Sequence, residues 1–96
     1  MEQDVFVRLH ARAGEEHAVE TALREVLEPS RNEPGCLSFH LFRSMRDPQL
    51  FYIHSRWKDA EAFQNHAVLT HTELFLKKVD ALLDQPRDVA RTERIA

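Results

Sequence analysis

The sequence predicts an α+β fold with its elements in the order β-α-β-β-α-β. Three observations carry this. Three segments, residues 5–11, 37–43 and 50–57, alternate apolar and polar side chains with the period of two that strands require. Residues 15–28 instead place Ala18, Val19, Ala22, Leu23, Val26 and Leu27 at the three-and-four spacing of an amphipathic helix. A second helical pattern follows the third strand, and a weakly apolar segment, residues 89–95, closes the order as an edge strand.

Each element has its local reason. In the first strand Val5, Val7, Leu9 and Ala11 share one face, and Phe6, Arg8 and His10 share the other. Ala13-Gly14 ends it. The first helix opens with Glu15 and Glu16, where the macrodipole favours acids, and Pro29 is expected to stop it. Asn32-Glu33-Pro34-Gly35 is a turn. The second strand sets Leu37, Phe39 and Leu41 against Ser38, His40 and Phe42, and Arg46-Asp47-Pro48 reads as a hairpin connection. The third strand sets Phe51, Ile53, Ser55 and Trp57 against Leu50, Tyr52, His54 and Arg56. Asp59 is an N-cap candidate for a short helix to about residue 67, with Ala60, Phe63 and Ala67 inward. Thr70 and Glu73 have capping-box spacing and open a longer helix to about residue 83, with Pro86 beyond it.

This is the split βαβ, ferredoxin-like arrangement: an antiparallel sheet with the helices on one face, expected as one domain over residues 1–96. The helices then cover Val7, Leu9, Phe39, Leu41, Ile53 and Trp57, with Leu37 among them. The bare face carries Phe6, Tyr52, Phe42, Arg8, Arg56 and three histidines, His10, His40 and His54, and the pattern supplies no obvious carboxylate there. Such a mixed aromatic and polar surface is expected to meet a second copy of the chain in a two-fold dimer.

The bulk numbers exclude several classes. A net charge of −3 gives no basic footprint for nucleic acid. No apolar run approaches the ~20 residues of a membrane span. The N-terminal residues show no basic segment followed by an apolar run, and one cysteine, Cys36, cannot form an internal disulfide, so a cytoplasmic setting is expected. Neither HExxH nor His-x3-His occurs, and no metal is expected. With two glycines and no GxGxxG, no nucleotide cofactor is expected either.

The run Phe51-Tyr52-Ile53-His54-Ser55-Arg56-Trp57-Lys58-Asp59, then Ala62-Phe63, His66 and His71, together with the turn Asn32-Glu33-Pro34-Gly35-Cys36, resembles the antibiotic biosynthesis monooxygenase family. The resemblance spans about residues 4–95. It implies a dimeric α+β barrel with the two sheets facing each other, and a cavity in each subunit between sheet and helices. It further implies oxidation of a small phenol or hydroquinone by dioxygen, without metal, haem or flavin. His66 and His71 then become the catalytic candidates, and Trp57, Ser55, Phe63 and Phe39 the substrate-binding candidates. A histidine suits the base, because its ordinary pKa lies near neutrality. A tryptophan supplies a flat apolar wall with one donor.

This sequence departs from the family pattern at Ser55, where a Glu is usual, and at Thr70, where a Pro is usual. Two other readings stand beside the monooxygenase. Lys58-Asp59, His66, His71, Lys78 and Pro86-Arg87 are also similar to a branch that isomerises a phosphorylated quorum-sensing signal molecule. A barrel that binds a small ligand without turnover is the third reading, and the serine at 55 speaks for it.

Overall fold

The computed structural model describes residues 1–96 and orders them as β1 (Gln3–His10), α1 (Glu16–Arg31), β2 (Cys36–Arg43), β3 (Leu50–Trp57), α2 (Ala60–Ala67), α3 (Thr70–Asp80) and β4 (Asp88–Thr92). The four strands form one antiparallel sheet in the order β2-β3-β1-β4. β1 is central, with Val7 opposite Ile53 on one side and Val89 on the other. The fold is the expected α+β arrangement.

The core forms where the inward face of the sheet meets the helices. Val5, Leu9 and Trp57 are fully enclosed, as is Val19 of α1, and Phe39, Phe51, Ile53, Leu23, Phe75 and Val79 join the same cluster. Burying such side chains contributes about 1.5–3 kcal/mol each, so the alternating strand faces and the helical stripe are what select this topology.

Four local expectations give way. Pro29 does not end α1, which runs on to Arg31. The proline removes a single helical donor near the C-terminus, and the N–H groups of Asn32 and Glu33 close the last turn onto the carbonyls of Glu28 and Ser30. Leu37 does not sit under the helices. A register shift between Cys36 and Ser38 inserts one extra residue, so Cys36 turns toward the core and Leu37 is 46% exposed. Thr70 is not a cap: the chain enters α3 at Leu69, in extended conformation, and no side-chain bond caps the helix. α3 itself ends at Asp80. Leu82 and Leu83 leave the helix, and Leu83 pairs with Ala11 at the end of β1. Asp59 does cap α2, its Oδ1 accepting the Ala62 N–H at 2.8 Å.

The face without helices also differs from expectation in charge. Asp4, in phase with Phe6 and Arg8, brings a carboxylate to it, 3.4 Å from Arg56 Nε and 3.8 Å from His54 Nε2. His10 lies at its rim between two acids, Nε2 against Asp47 at 2.9 Å and Nδ1 against Asp84 at 2.8 Å. Hydrogen bonds to Asp84 and Asp47 hold its pKa above the ordinary value. Phe6 stacks on His54 with ring centroids 4.7 Å apart, and both Phe6 and Phe42 are about half exposed.

One contact fixes the turn before β2 to α2. Gly35 is buried, and its carbonyl accepts the Lys58 N–H at 3.0 Å. A Cβ at this position would lie 2.3 Å from the Cβ of Ala62. Gly35→Ala is therefore expected to destabilise the fold by about 1–3 kcal/mol, the usual cost of overpacking. Denaturant unfolding measures it, and an unchanged midpoint would show that the turn and α2 are not locked together.

Candidate functional site

The site grows from three short pieces of backbone. The turn after α1 presents Glu33, the last turn of α2 presents His66, and the first turn of α3 presents His71. Only Val68 and Leu69 separate the two helices, so two histidines five residues apart come from successive helices and face one carboxylate. Glu33 Oε2 lies 2.7 Å from His66 Nδ1 and 2.7 Å from His71 Nε2. Each imidazole donates an N–H to that oxygen. The Thr72 hydroxyl oxygen lies 3.3 Å from the same His66 nitrogen.

His66 is buried among rings. Trp57 lies 4.5 Å from it, Phe63 5.8 Å and Phe39 6.1 Å, between centroids. Burial pushes its pKa below the ordinary 6.5, against the opposing hydrogen bond and charge of Glu33, and His71 adds to the lowering. A neutral His66 with its proton on Nδ1 leaves Nε2 as a base, and no group of the protein hydrogen-bonds to that nitrogen.

A cavity of about 220 Å³ lies against His66. Phe39, Ile53 and Ser55 form its floor on the sheet, and Phe63, Phe75 and Leu76 close it from the helices. Arg87 and Val89 stand at the β4 end. Ser55 is buried; its Oγ accepts the Trp57 indole N–H at 2.9 Å and keeps its own proton to donate. Larger hollows occur elsewhere, the largest of about 670 Å³ near Asp80 and Arg87, but it is open to solvent and carries the charged side chains of Asp80, Asp84 and Arg87.

Comparisons with known proteins identify the family to which a chain of this fold belongs. A model of the antibiotic biosynthesis monooxygenase family matches residues 5–83. The chain belongs to that family. It is 33% identical over 70 residues to "Putative monooxygenase YcnE" of Bacillus subtilis (strain 168), covering 73% of this chain and 74% of that protein. A crystal structure of PA3566 from Pseudomonas aeruginosa matches with a TM-score of 0.91 at 32% identity, over 99% of this chain and 95% of that one. A structure of Rv0793 from Mycobacterium tuberculosis, 23% identical, shares the fold at a TM-score of 0.95, over 100% and 97% of the two chains.

Within this family member the residues singled out from the sequence fall into two groups. His66, Ser55, Phe63 and Phe39 meet at the cavity. Trp57 and His71 are not among its lining residues. Trp57 is fully enclosed and backs His66 and Ser55, while His71 lies on the far side of Glu33, partly exposed. Glu33 itself was visible in the sequence only as part of a turn. Its signal was an acid immediately before Pro34-Gly35, a turn held to α2, which carries His66. Thr72 gives no signal, because spacing within a helix does not show which cavity a side chain meets; Arg87 is marked only by the similarity to the isomerising branch.

The opposing influences on His66 can be separated. Its imidazole should titrate below 6.5 by NMR, and Glu33→Gln should lower the value further, since the carboxylate is what raises it. A depressed folded-state pKa means that stability is full above the unfolded value of 6.5 and declines as pH falls through it. A His66 titration at or above 6.5 would show that Glu33 outweighs burial.

Proposed function

We propose that the chain is a cofactor-independent monooxygenase that oxidises a small phenol or hydroquinone with dioxygen in the cavity beside His66. The observation that carries the proposal is a buried histidine lining an apolar cavity, with Nδ1 held by Glu33 and no protein partner on Nε2. Family membership and the likeness to YcnE support a monooxygenase-like activity. The cavity volume of about 220 Å³ suits a substrate of one or two rings.

His66 Nε2 takes the phenolic proton, and Glu33 holds the imidazolium that forms. Phe39, Phe63 and Phe75 exclude water, so the phenolate is left electron-rich, and Ser55 donates a hydrogen bond to a substrate oxygen. The phenolate passes an electron to dioxygen, and the radical pair recombines. One oxygen atom joins the ring as a quinone oxygen, the other leaves as water, and the substrate supplies both electrons.

Oxygen uptake with a panel of hydroquinones and naphthohydroquinones tests the reading. The wild type should exceed autoxidation, and His66→Ala should lose about 10²–10⁴-fold of the enzymic rate. Equal rates for the two proteins would remove the reading. One observation favours the isomerase alternative: Arg87 brings a guanidinium to the cavity, where it could meet a phosphate. Arg87 is paired with Asp80, however, and the remaining wall is apolar. Turnover of a phosphorylated ketose with no oxygen consumed would reverse the order of the two readings. Saturable binding of a quinone with no turnover of either substrate would leave a ligand-binding barrel.

We further propose that the working unit is a homodimer joined through the bare sheet face. Proteins of this family are commonly dimeric and bind small molecules. Phe6, Phe42 and Tyr52 are exposed together on that face at 47%, 51% and 37%. Phe6→Asp should halve the mass seen by sedimentation velocity. A wild type that sediments as a monomer would end this reading.

A further inference from the structure

We propose that Glu33, His66 and His71 bind a divalent transition-metal ion, and that the ion, once bound, switches off His66 as the cavity base. Binding stands on geometry alone, and the switching rests on the function proposed above.

The donor atoms already converge. Glu33 Oε2, His66 Nδ1 and His71 Nε2 all lie within 4.8 Å of one another, and both nitrogens point at the same oxygen from 2.7 Å. They come from three separate elements, which is why no metal-binding spacing is visible in the chain. Zinc-like ions sit about 2.0–2.2 Å from nitrogen and carboxylate ligands, which spreads tetrahedral donors to roughly 3.3 Å apart. The carboxylate must therefore withdraw from each nitrogen by roughly half an ångström, and the two nitrogens must close from within 4.8 Å of each other toward that spacing, movements made by side-chain torsions.

The donor set decides the class of ion. Two imidazoles and one carboxylate suit Zn²⁺, Co²⁺, Ni²⁺ or Cu²⁺, while Mg²⁺ and Ca²⁺ prefer oxygen alone. Glu33 and His66 are shielded, but His71 is partly exposed and gives the ion a path from solvent. A water can complete the coordination beside Thr72, whose hydroxyl is 3.3 Å from His66 Nδ1.

Metal on Nδ1 of His66 has a direct chemical consequence. The neutral ring must carry its proton on Nε2 instead. That nitrogen then donates and cannot accept a phenolic proton. One ion thus converts the cavity base into a hydrogen-bond donor without entering the cavity.

Trp57 gives a readout independent of turnover. It is the only tryptophan, and its ring lies 4.5 Å from that of His66, so bound Co²⁺ should quench its emission. Titration with Co²⁺ should saturate at one equivalent per chain, and Zn²⁺ should displace it. Glu33→Gln and His71→Ala should each weaken Co²⁺ binding at least tenfold, while His17→Ala on the exposed face of α1 should not. Thermal unfolding of each variant checks the fold. Absence of saturable quenching, or equal affinity in folded Glu33→Gln and His71→Ala, overturns the site. If the site binds and the metal-free enzyme consumes oxygen, saturating Zn²⁺ should abolish that consumption. Full activity with Zn²⁺ bound overturns the switch and leaves the site. A metal-free protein that consumes no oxygen overturns the monooxygenase reading and, with it, the switch, while the quenching result still decides the site.

Discussion

One carboxylate oxygen organises the junction of the turn before β2 with α2 and α3. Glu33 Oε2 accepts from both His66 and His71, and so ties the turn before β2 to the end of α2 and the start of α3. The carboxylate is itself placed by backbone: its N–H bonds to the Ser30 carbonyl and its carbonyl accepts from Cys36. The tight contact of Gly35 with Ala62 presses the same turn against α2. Removing the charge would leave two ring nitrogens without their acceptor and the helix junction without its anchor.

The same contact sets the electrical state of His66. Apolar rings on three sides disfavour a buried imidazolium, and the carboxylate on the fourth favours it. Burial wins, so the ring rests neutral while its orientation and tautomer are still dictated by Glu33. A base that is neutral at rest yet holds a counter-charge for its protonated form is matched to removing a proton from a weak acid. His10 shows the opposite balance: hydrogen bonds to two partly exposed acids, Asp84 and Asp47, raise its pKa against the lowering effect of burial, which makes it a rim clasp between the β2–β3 turn and the segment after α3.

The fold was legible because its signals are periodic. Strand alternation in β1 and β3 and the stripe in α1 each repeat several times, so one exception does not mislead. The details that escaped are single events. The bulge at Leu37 shifts parity by one residue, and nothing in the composition of Cys36-Leu37-Ser38 marks it. Asp4 was missed on the sheet face because β1 starts earlier than its apolar alternation does. At the site, His66, Ser55, Phe63 and Phe39 were readable from face and motif, since parity carries a side chain to a surface. Glu33 was not, because its partners lie 33 and 38 residues away and only the folded helix junction brings them to it.

Ser55 then takes on a meaning that the motif alone obscures. The bonded pair Ser55 and Trp57 forms a neutral wall, the indole N–H ending on the serine oxygen. A carboxylate in place of that hydroxyl would put a second negative charge beside an apolar cavity already served by Glu33. It would pull the His66 pKa upward and favour an imidazolium, which cannot accept a proton. A second buried acid would also raise the cost of binding a phenolate, through like-charge repulsion in a medium that screens poorly. With serine, the cavity holds no fixed anion of its own, and its guanidinium neighbour at Arg87 is offset by Asp80. In the proposed reaction, the charge that develops during proton removal is then carried by the substrate and by the His66–Glu33 pair alone. On these grounds the serine is compatible with the proposed proton abstraction, in which the whole of that task falls to the histidine.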